Sequence, residues 1–227
     1  KAGAGKLIVT GNSTYTGSTQ VSGGTLSVNG NLASIVTVGS GAFLGGNGSI
    51  GGLSLLSGGT LAPGNSIGTL TVNGNANLAS GSTYAVEVDD SGHADRLAAT
   101  GTVTIGNNVN LLVTPENGTD TGATYALNTQ YTIISANGGV TGSFDSVTEN
   151  FAYLTAAVET SADQKSVLLM LNRATTDFAA AASTQNAKSA ANAVEALGSG
   201  NALYDKALYL KTDETQSAFA QLSGELH

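Results

Sequence analysis

Ser22-Gly23-Gly24-Thr25-Leu26, Ser40-Gly41-Ala42-Phe43-Leu44, Ser57-Gly58-Gly59-Thr60-Leu61 and Ser80-Gly81-Ser82-Thr83-Tyr84 repeat one pattern, Ser-Gly-x-x-(Leu/Tyr), at spacings of 18, 17 and 23 residues. The turn glycines Gly23, Gly24, Gly41, Gly58, Gly59 and Gly81 feed short alternating runs. In runs such as Thr25-Leu26-Ser27-Val28 and Thr69-Leu70-Thr71-Val72, a period of two sends the aliphatic side chains to one face. Units of roughly 20 residues built from short strands and tight glycine turns describe a β-solenoid, one coil per repeat. A β-sandwich with glycine-rich hairpins is the alternative, but its strands are usually longer and its spacing tighter.

The charge pattern fits stacked coils. From Leu7 through Val86 there is no Asp, Glu, Lys or Arg. Equivalent side chains of successive coils lie above one another, so like charges would face like charges, and neutral Thr, Ser and Asn ladders are expected instead. Over the whole chain 16 acidic residues outweigh 8 basic ones, a net charge of −8 that leaves no basic patch for nucleic acid. No apolar run approaches the roughly 18 residues of a membrane-spanning helix. The chain starts at Lys1 with neither a signal peptide nor an initiator methionine, and is read as a piece of a longer polypeptide.

Composition divides the chain into three. Twenty of the 31 glycines fall in residues 1–81, the solenoid coils, whereas residues 173–227 hold three glycines and fourteen alanines and read as helical. Between them, residues 82–172 keep strand signals at Tyr84–Val88, Thr102–Ile105, Asn110–Val113, Tyr131–Ile134 and Val167–Leu171. The same stretch gathers Tyr84, Tyr125, Tyr131, Phe144, Phe151 and Tyr153, rings that could fill a wider core. It reads as a cap, which an open solenoid end requires because unpaired backbone templates aggregation. In the last segment the spacing predicts a helix from Thr176 or Asp177 to Leu197 with Gly198 beyond it. A second helix carries Leu203, Ala207 and Leu210 on one face. A third has a capping box at Asp213 and Gln216 and places Phe219 and Leu222 on a common side. A disordered linker is the alternative for this segment.

Three patterns suggest chemistry. Gly64-Asn65-Ser66-Ile67-Gly68 matches a nucleophile elbow, but a strand follows Ser66 where a helix is needed, and the histidines are only His93 and His227. Gly46-Asn47-Gly48-Ser49-Ile50-Gly51 matches a dinucleotide fingerprint, yet Gly51-Gly52 cannot open the helix that would hold a pyrophosphate. Asp89, Asp90, His93 and Asp95 could hold a cation or form a solvated loop, with Asp95 and Arg96 as a local ion pair. No catalytic residue, metal ligand or cofactor is assigned from these.

Gly11-Asn12-Ser13-Thr14-Tyr15-Thr16-Gly17-Ser18-Thr19, followed by Val21, Gly23–Leu26 and Val28-Asn29-Gly30, resembles the passenger-associated transport repeat of type V (autotransporter) secretion proteins. Leu61–Leu70 resembles the next coil of such proteins. Tyr84–Gly106, Tyr131–Ile134 and Gly142–Phe144 resemble their autochaperone or junction region, and Leu197–Asp205 and Phe219–His227 the linker before an outer-membrane β-barrel. The linker looks most like that of the subtilisin-like serine protease autotransporters. The resemblance implies an all-β fold, a right-handed parallel β-helix with a C-terminal cap and a following α-helical linker. It implies a non-catalytic passenger portion that nucleates β-helix folding and assists translocation, with a protease domain, if any, before Lys1 and a barrel after His227. The nucleus would be Tyr84, Tyr131, Phe144, Phe151 and Tyr153, while Phe219 and Leu222 would lie on the helix threading the barrel. Implied partners are the chain's own barrel and upstream passenger, the outer-membrane assembly machinery and periplasmic chaperones. Delivery would be through the periplasm and outer membrane to the bacterial surface or medium, where periplasmic disulfides would obstruct passage and cysteine is absent. The rival function is an adhesin stalk that binds a host surface or glycan.

Overall fold

The computed structural model describes residues 1–89, 91–116, 127 and 129–225; Asp90, Tyr125, Leu226 and His227 fall outside them. It is a parallel β-helix whose coils each contribute strands to three faces. On the first face Lys6–Val9, Gly24–Val28, Ala42–Gly46, Thr60–Pro63, Thr83–Val88, Asn110–Pro115 and Ser146–Glu149 form one seven-stranded parallel sheet. The long strands Asn31–Val38 and Ser49–Leu55 run along both other faces. Elsewhere each is replaced by two short strands, as in Thr69–Val72 with Ala76–Leu78 and Arg96–Ala99 with Val103–Ile105.

The Ser-Gly repeat is the coil. Leu26, Leu44, Leu61, Tyr84, Leu111 and Val147 lie in register one above another, as do Val21, Val38, Leu55, Leu78 and Ile105 on the third face. The first five residues of the first row and the first four of the second are essentially fully buried. Outward residues form the uncharged rows expected, such as Gln20, Thr37, Ser54, Asn77, Thr104 and Thr141. Within another such row the Ser49 hydroxyl donates to Asn31 Oδ1 at 2.7 Å.

The long interval between Ser57 and Ser80 does not disturb the stack. Eleven residues separate Thr60 from Thr71 where six separate their partners Phe43 and Ser49, and four separate Val72 from Ala76 where three separate Ile50 from Leu53. Five of the six additional residues form the 64–68 turn and one widens the 73–75 corner, so both neighbouring coils keep register.

Gly24, Gly41, Gly58 and Gly81 have φ of 63°, 70°, 73° and 77°, the left-handed turn that glycine adopts without a Cβ clash. Gly41, Gly58 and Gly81 each donate to the turn of the following coil, and the last of these bonds ends on Asn108, itself at φ 55°. Asn108 is therefore a further rung of the ladder, hidden from the Ser-Gly pattern because asparagine tolerates the same conformation. Gly23 has room for a side chain, so the first turn's requirement falls on Gly24. Gly46 is stricter: at φ 106°, an added Cβ would run into the Val28 backbone of the coil below. Gly46→Ala should lower stability by about 2 kcal/mol or more, and Gly41→Ala, strained but with open space around it, by about 1 kcal/mol. Urea melts of the two variants check this difference.

The far end is closed by an antiparallel hairpin. Ser166–Arg173 pairs with Gln130–Ala136, and Leu154–Thr160 pairs with Ser166–Arg173. Beyond it the helical expectation is partly corrected. Phe178–Ala181 is a single 3-10 turn, and Asp177 caps nothing with its side chain. The first α-helix, α1, is Gln185–Leu197, capped by Thr184, which accepts from the Ala187 N–H at 3.1 Å; Gly198 ends it at φ 73°. Ala202–Leu208 is α2 and Thr215–Leu222 is α3. No capping box forms at Asp213: the cap is Glu214, whose carboxylate accepts instead from the Lys211 N–H at 3.1 Å. On α3, Phe219 is fully buried but Leu222 is 48% exposed, so the two do not share an environment.

Candidate functional site

The aromatic residues singled out from the sequence are brought to two places in the capped end. Tyr84 takes a position that leucine fills in the coils below, and its longer side chain crosses the core. There its hydroxyl accepts from the Leu97 N–H at 3.0 Å and donates to the Ile133 carbonyl at 2.6 Å, joining Arg96–Ala99 to Gln130–Ala136. Burial pushes its phenol well above the ordinary value, reinforced by the nearby Asp95 carboxylate. Phe144 stacks on Tyr84 with ring centres 6.0 Å apart, but is only half buried; Tyr131 is buried in its strand.

The second place lies between hairpin and helices. The rings of Tyr153 and Phe178 meet edge-on at 4.7 Å, and Phe178 also touches Tyr204 at 5.1 Å and Phe219 at 6.0 Å. Burial raises the Tyr153 phenol to about 12, and its hydroxyl donates to the Phe178 carbonyl at 3.0 Å. Phe151 is buried beside Tyr153 in sequence and bridges to Lys211 by its backbone. Sequence reasoning missed the residue that organises this site, Arg173. Its guanidinium donates to the carbonyls of Tyr153, Ala174 and Thr176 at 3.2, 2.7 and 2.8 Å and to Glu195 Oε1 at 3.0 Å. It also lies 5.0 Å from the Phe178 ring centre. Glu195 completes the contact by accepting the Phe178 N–H at 2.8 Å. A lone arginine ending a strand gave no signal of this, because Tyr153 and Glu195, the partners that join it to other elements, lie 20 and 22 residues away.

The chemistry-like patterns resolve into structure. Ser66 stands on the 64–68 turn and donates its hydroxyl to Glu116; the strand Thr69–Val72 follows it. Gly46–Gly51 runs from one strand through a corner into the next, Ser49–Leu55. Asp89 and His93 pair with each other at 2.8 Å. Asp95 departs from both expectations for it: it neither joins that pair nor bridges to Arg96. Only 2% exposed, it accepts from the Gly68 N–H at 2.8 Å and the Glu87 N–H at 3.0 Å, clasping the enlarged 64–68 turn to the next coil.

Burial lifts the Asp95 carboxyl to about 7. The two N–H donors oppose the rise, while neighbouring Glu87 and Glu116 add to it. Its value in the unfolded chain is near 3.9, so between roughly pH 4 and 7 the folded form holds a proton that the unfolded form has lost. Stability from this group is full below about pH 4 and falls as pH rises to 7, by at most about 1.4 kcal/mol per unit. Urea melts at pH 5 and 7.5 should show a fall with rising pH that is smaller in Asp95→Asn than in the parent chain.

Comparison with known proteins adds what geometry alone does not. Residues 1–28 match the passenger-associated transport repeat. They are one complete coil plus the first strand of the next, from Lys6–Val9 to Gly24–Val28. Two extracellular serine proteases of Serratia marcescens are 35% and 34% identical to this chain over 199 and 200 residues, 87% of its length. These matches support reading the chain as an autotransporter passenger portion. The chain spans 19% of the length of each of those relatives. Among the described residues no helix is long and apolar enough to cross a membrane.

Proposed function

We propose that this passenger portion is non-catalytic, that its capped end is the folding nucleus of the β-helix, and that its folding draws the passenger outward across an outer membrane. The observation that carries this is the concentration of cross-core contacts after residue 82. Tyr84 ties three strands through one hydroxyl, and the antiparallel hairpin adds local pairing that parallel coils lack. Local contacts form with less loop-closure entropy, so the hairpin and the strand it joins can order first and offer a template edge. Coils towards Lys1 then add one at a time, each needing only its neighbour. Outside an outer membrane there is no ATP, and stepwise folding supplies a free-energy bias. The route through the periplasm, the barrel and assembly-machinery partners, and delivery to the surface or medium are part of the same proposal. The named activity of the Serratia proteins fits a catalytic region outside the shared stretch.

Pulse-labelled hydrogen exchange during refolding of the 227-residue chain tests the order of events. Amides of Thr83–Val88, Arg96–Ala99 and residues 130–173 should be protected before those of residues 24–55. Simultaneous protection, or protection of the early coils first, would remove the nucleating role.

A further inference from the structure

We infer that Asn73 is a self-modification site: in the folded chain its carboxamide closes on the Gly74 nitrogen to a succinimide, which water opens to aspartate or isoaspartate. This goes beyond any role in folding or secretion.

Asn-Gly is the pair in which that ring forms most readily, because glycine has no side chain to crowd the attacking nitrogen. The sequence offers five such pairs, at Asn29, Asn47, Asn73, Asn117 and Asn137, and does not rank them. Asn117 lies outside the described residues, and the other four asparagines are all exposed, so exposure does not rank them either. The glycine N–H does. Gly30 donates to the Val9 carbonyl at 3.0 Å, Gly48 to the Val28 carbonyl at 2.8 Å and Gly138 to the Gly101 carbonyl at 2.9 Å. Gly74 donates to no acceptor among the described residues. Asn29 is held a second time, since its Oδ1 accepts from the Asn47 N–H at 3.2 Å and from Asn65 Nδ2 at 2.9 Å.

The bare N–H follows from the widened 73–75 corner. Asn73-Gly74, Thr100-Gly101 and Asn137-Gly138 stack over one another, each in a corner with the same step of four, Val72 to Ala76, Ala99 to Val103 and Ala136 to Val140. Gly101 and Gly138 therefore meet the carbonyls of Gly74 and Gly101 below them, each at 2.9 Å. Gly74 stands instead on the narrower corner, where the step from Ile50 to Leu53 is three. There the Gly51 carbonyl oxygen lies 2.5 Å from where a Cβ on residue 74 would stand, so it crowds the Cα without receiving the N–H.

Closure needs water and no redox partner. The Gly74 nitrogen loses its proton to solvent base and bonds to Asn73 Cγ; the Cγ–Nδ2 bond breaks, and that nitrogen takes a proton from water and leaves as ammonia. Water then adds at Cγ to give aspartate, or at the Asn73 main-chain carbonyl carbon to give isoaspartate. Either product puts a carboxylate into the uncharged stretch from Leu7 to Val86, and isoaspartate also adds a carbon to the main chain of the corner. Gly51 and Thr100, the neighbours in the stack, present no like charge, so the aspartate form leaves the coils stacked.

The test is peptide mapping by mass spectrometry of the folded 227-residue chain aged at mildly alkaline pH, with fragmentation that separates isoaspartate from aspartate. Conversion at Asn73 should run roughly 10-fold or more faster than at Asn29, Asn47 and Asn137, the factor that one protecting hydrogen bond supplies. Amide exchange at Gly74 should outpace that at Gly101 and Gly138 by a similar ratio. In the urea-unfolded chain the sites should convert at similar rates, and Asn73→Thr, which copies the Thr100 corner, should abolish the change at this position. Conversion in the folded chain no faster at Asn73 than at the three bonded pairs would overturn the assignment. A preference for Asn73 that persists in urea would overturn it too, since local sequence and not the corner would then set the rate. Exchange at Gly74 as slow as at Gly101 would do the same.

Discussion

Tyr84→Ala should destabilise the chain by about 5 kcal/mol or more. Removing a buried aromatic ring costs roughly 3–5 kcal/mol through lost transfer energy and the cavity left behind. The same change strands the Leu97 N–H and the Ile133 carbonyl, whose hydroxyl partner is gone, at about 1–3 kcal/mol for each unpaired buried group. Domains of this kind are held by only about 5–15 kcal/mol, so the variant should lose the fold of the capped end at room temperature. Tyr84→Phe separates the contributions: it keeps the ring and the contact with Phe144, and should cost about 2 kcal/mol. Equilibrium urea unfolding, followed by exchange at Leu97, measures both. A Tyr84→Phe chain as stable as the parent would show that the hydroxyl does not join the strands.

Phe178→Ala should cost about 3–5 kcal/mol, but in a different place. Its ring is fully buried among Tyr153, Tyr204, Phe219 and the Arg173 guanidinium, and its backbone N–H and carbonyl are both held by side chains. Truncation should release α1, α2 and α3 while the stacked coils keep their strands. Circular dichroism should therefore lose helix and retain the β signal, with a separate, earlier transition in urea. A single transition shifted as a whole would show that helices and solenoid unfold together.

These two residues also mark the limit of what could be read from the sequence. Tyr84 stood in a repeat position, so its alignment with Leu61 was legible from spacing, whereas that with Leu111 was not, because the turn before Leu111 is built on Asn108. Which strands its hydroxyl would join was not, because they come from coils whose distance along the chain carries no local signal. Phe178 was placed on a long helix that the structure breaks at Ala182–Thr184, where Thr184 offers a better cap than Asp177. Alanine-rich sequence favours helix everywhere along this stretch and so says little about where one begins. Of the face predicted for the second helix, Ala207 is buried while Leu203 is 38% exposed, and Leu210 lies beyond the end of α2. Spacing defines a face without saying what covers it. Asp95 beside Arg96 suggested an ion pair. The structure instead turns the carboxyl inward, where it accepts from the part-buried Gly68 N–H of the enlarged 64–68 turn and from the Glu87 N–H.

By itself the sequence determined the coil: the Ser-Gly turns, the alternation and the eighty uncharged residues require neutral rows stacked in parallel, since period two and like-charge repulsion act between nearest neighbours. Only the tertiary structure decided how the stack ends. Closure depends on which distant groups reach the last open edge, Tyr84 across the core and Arg173 across to Glu195, and such contacts are set by three-dimensional distance rather than by any period along the chain.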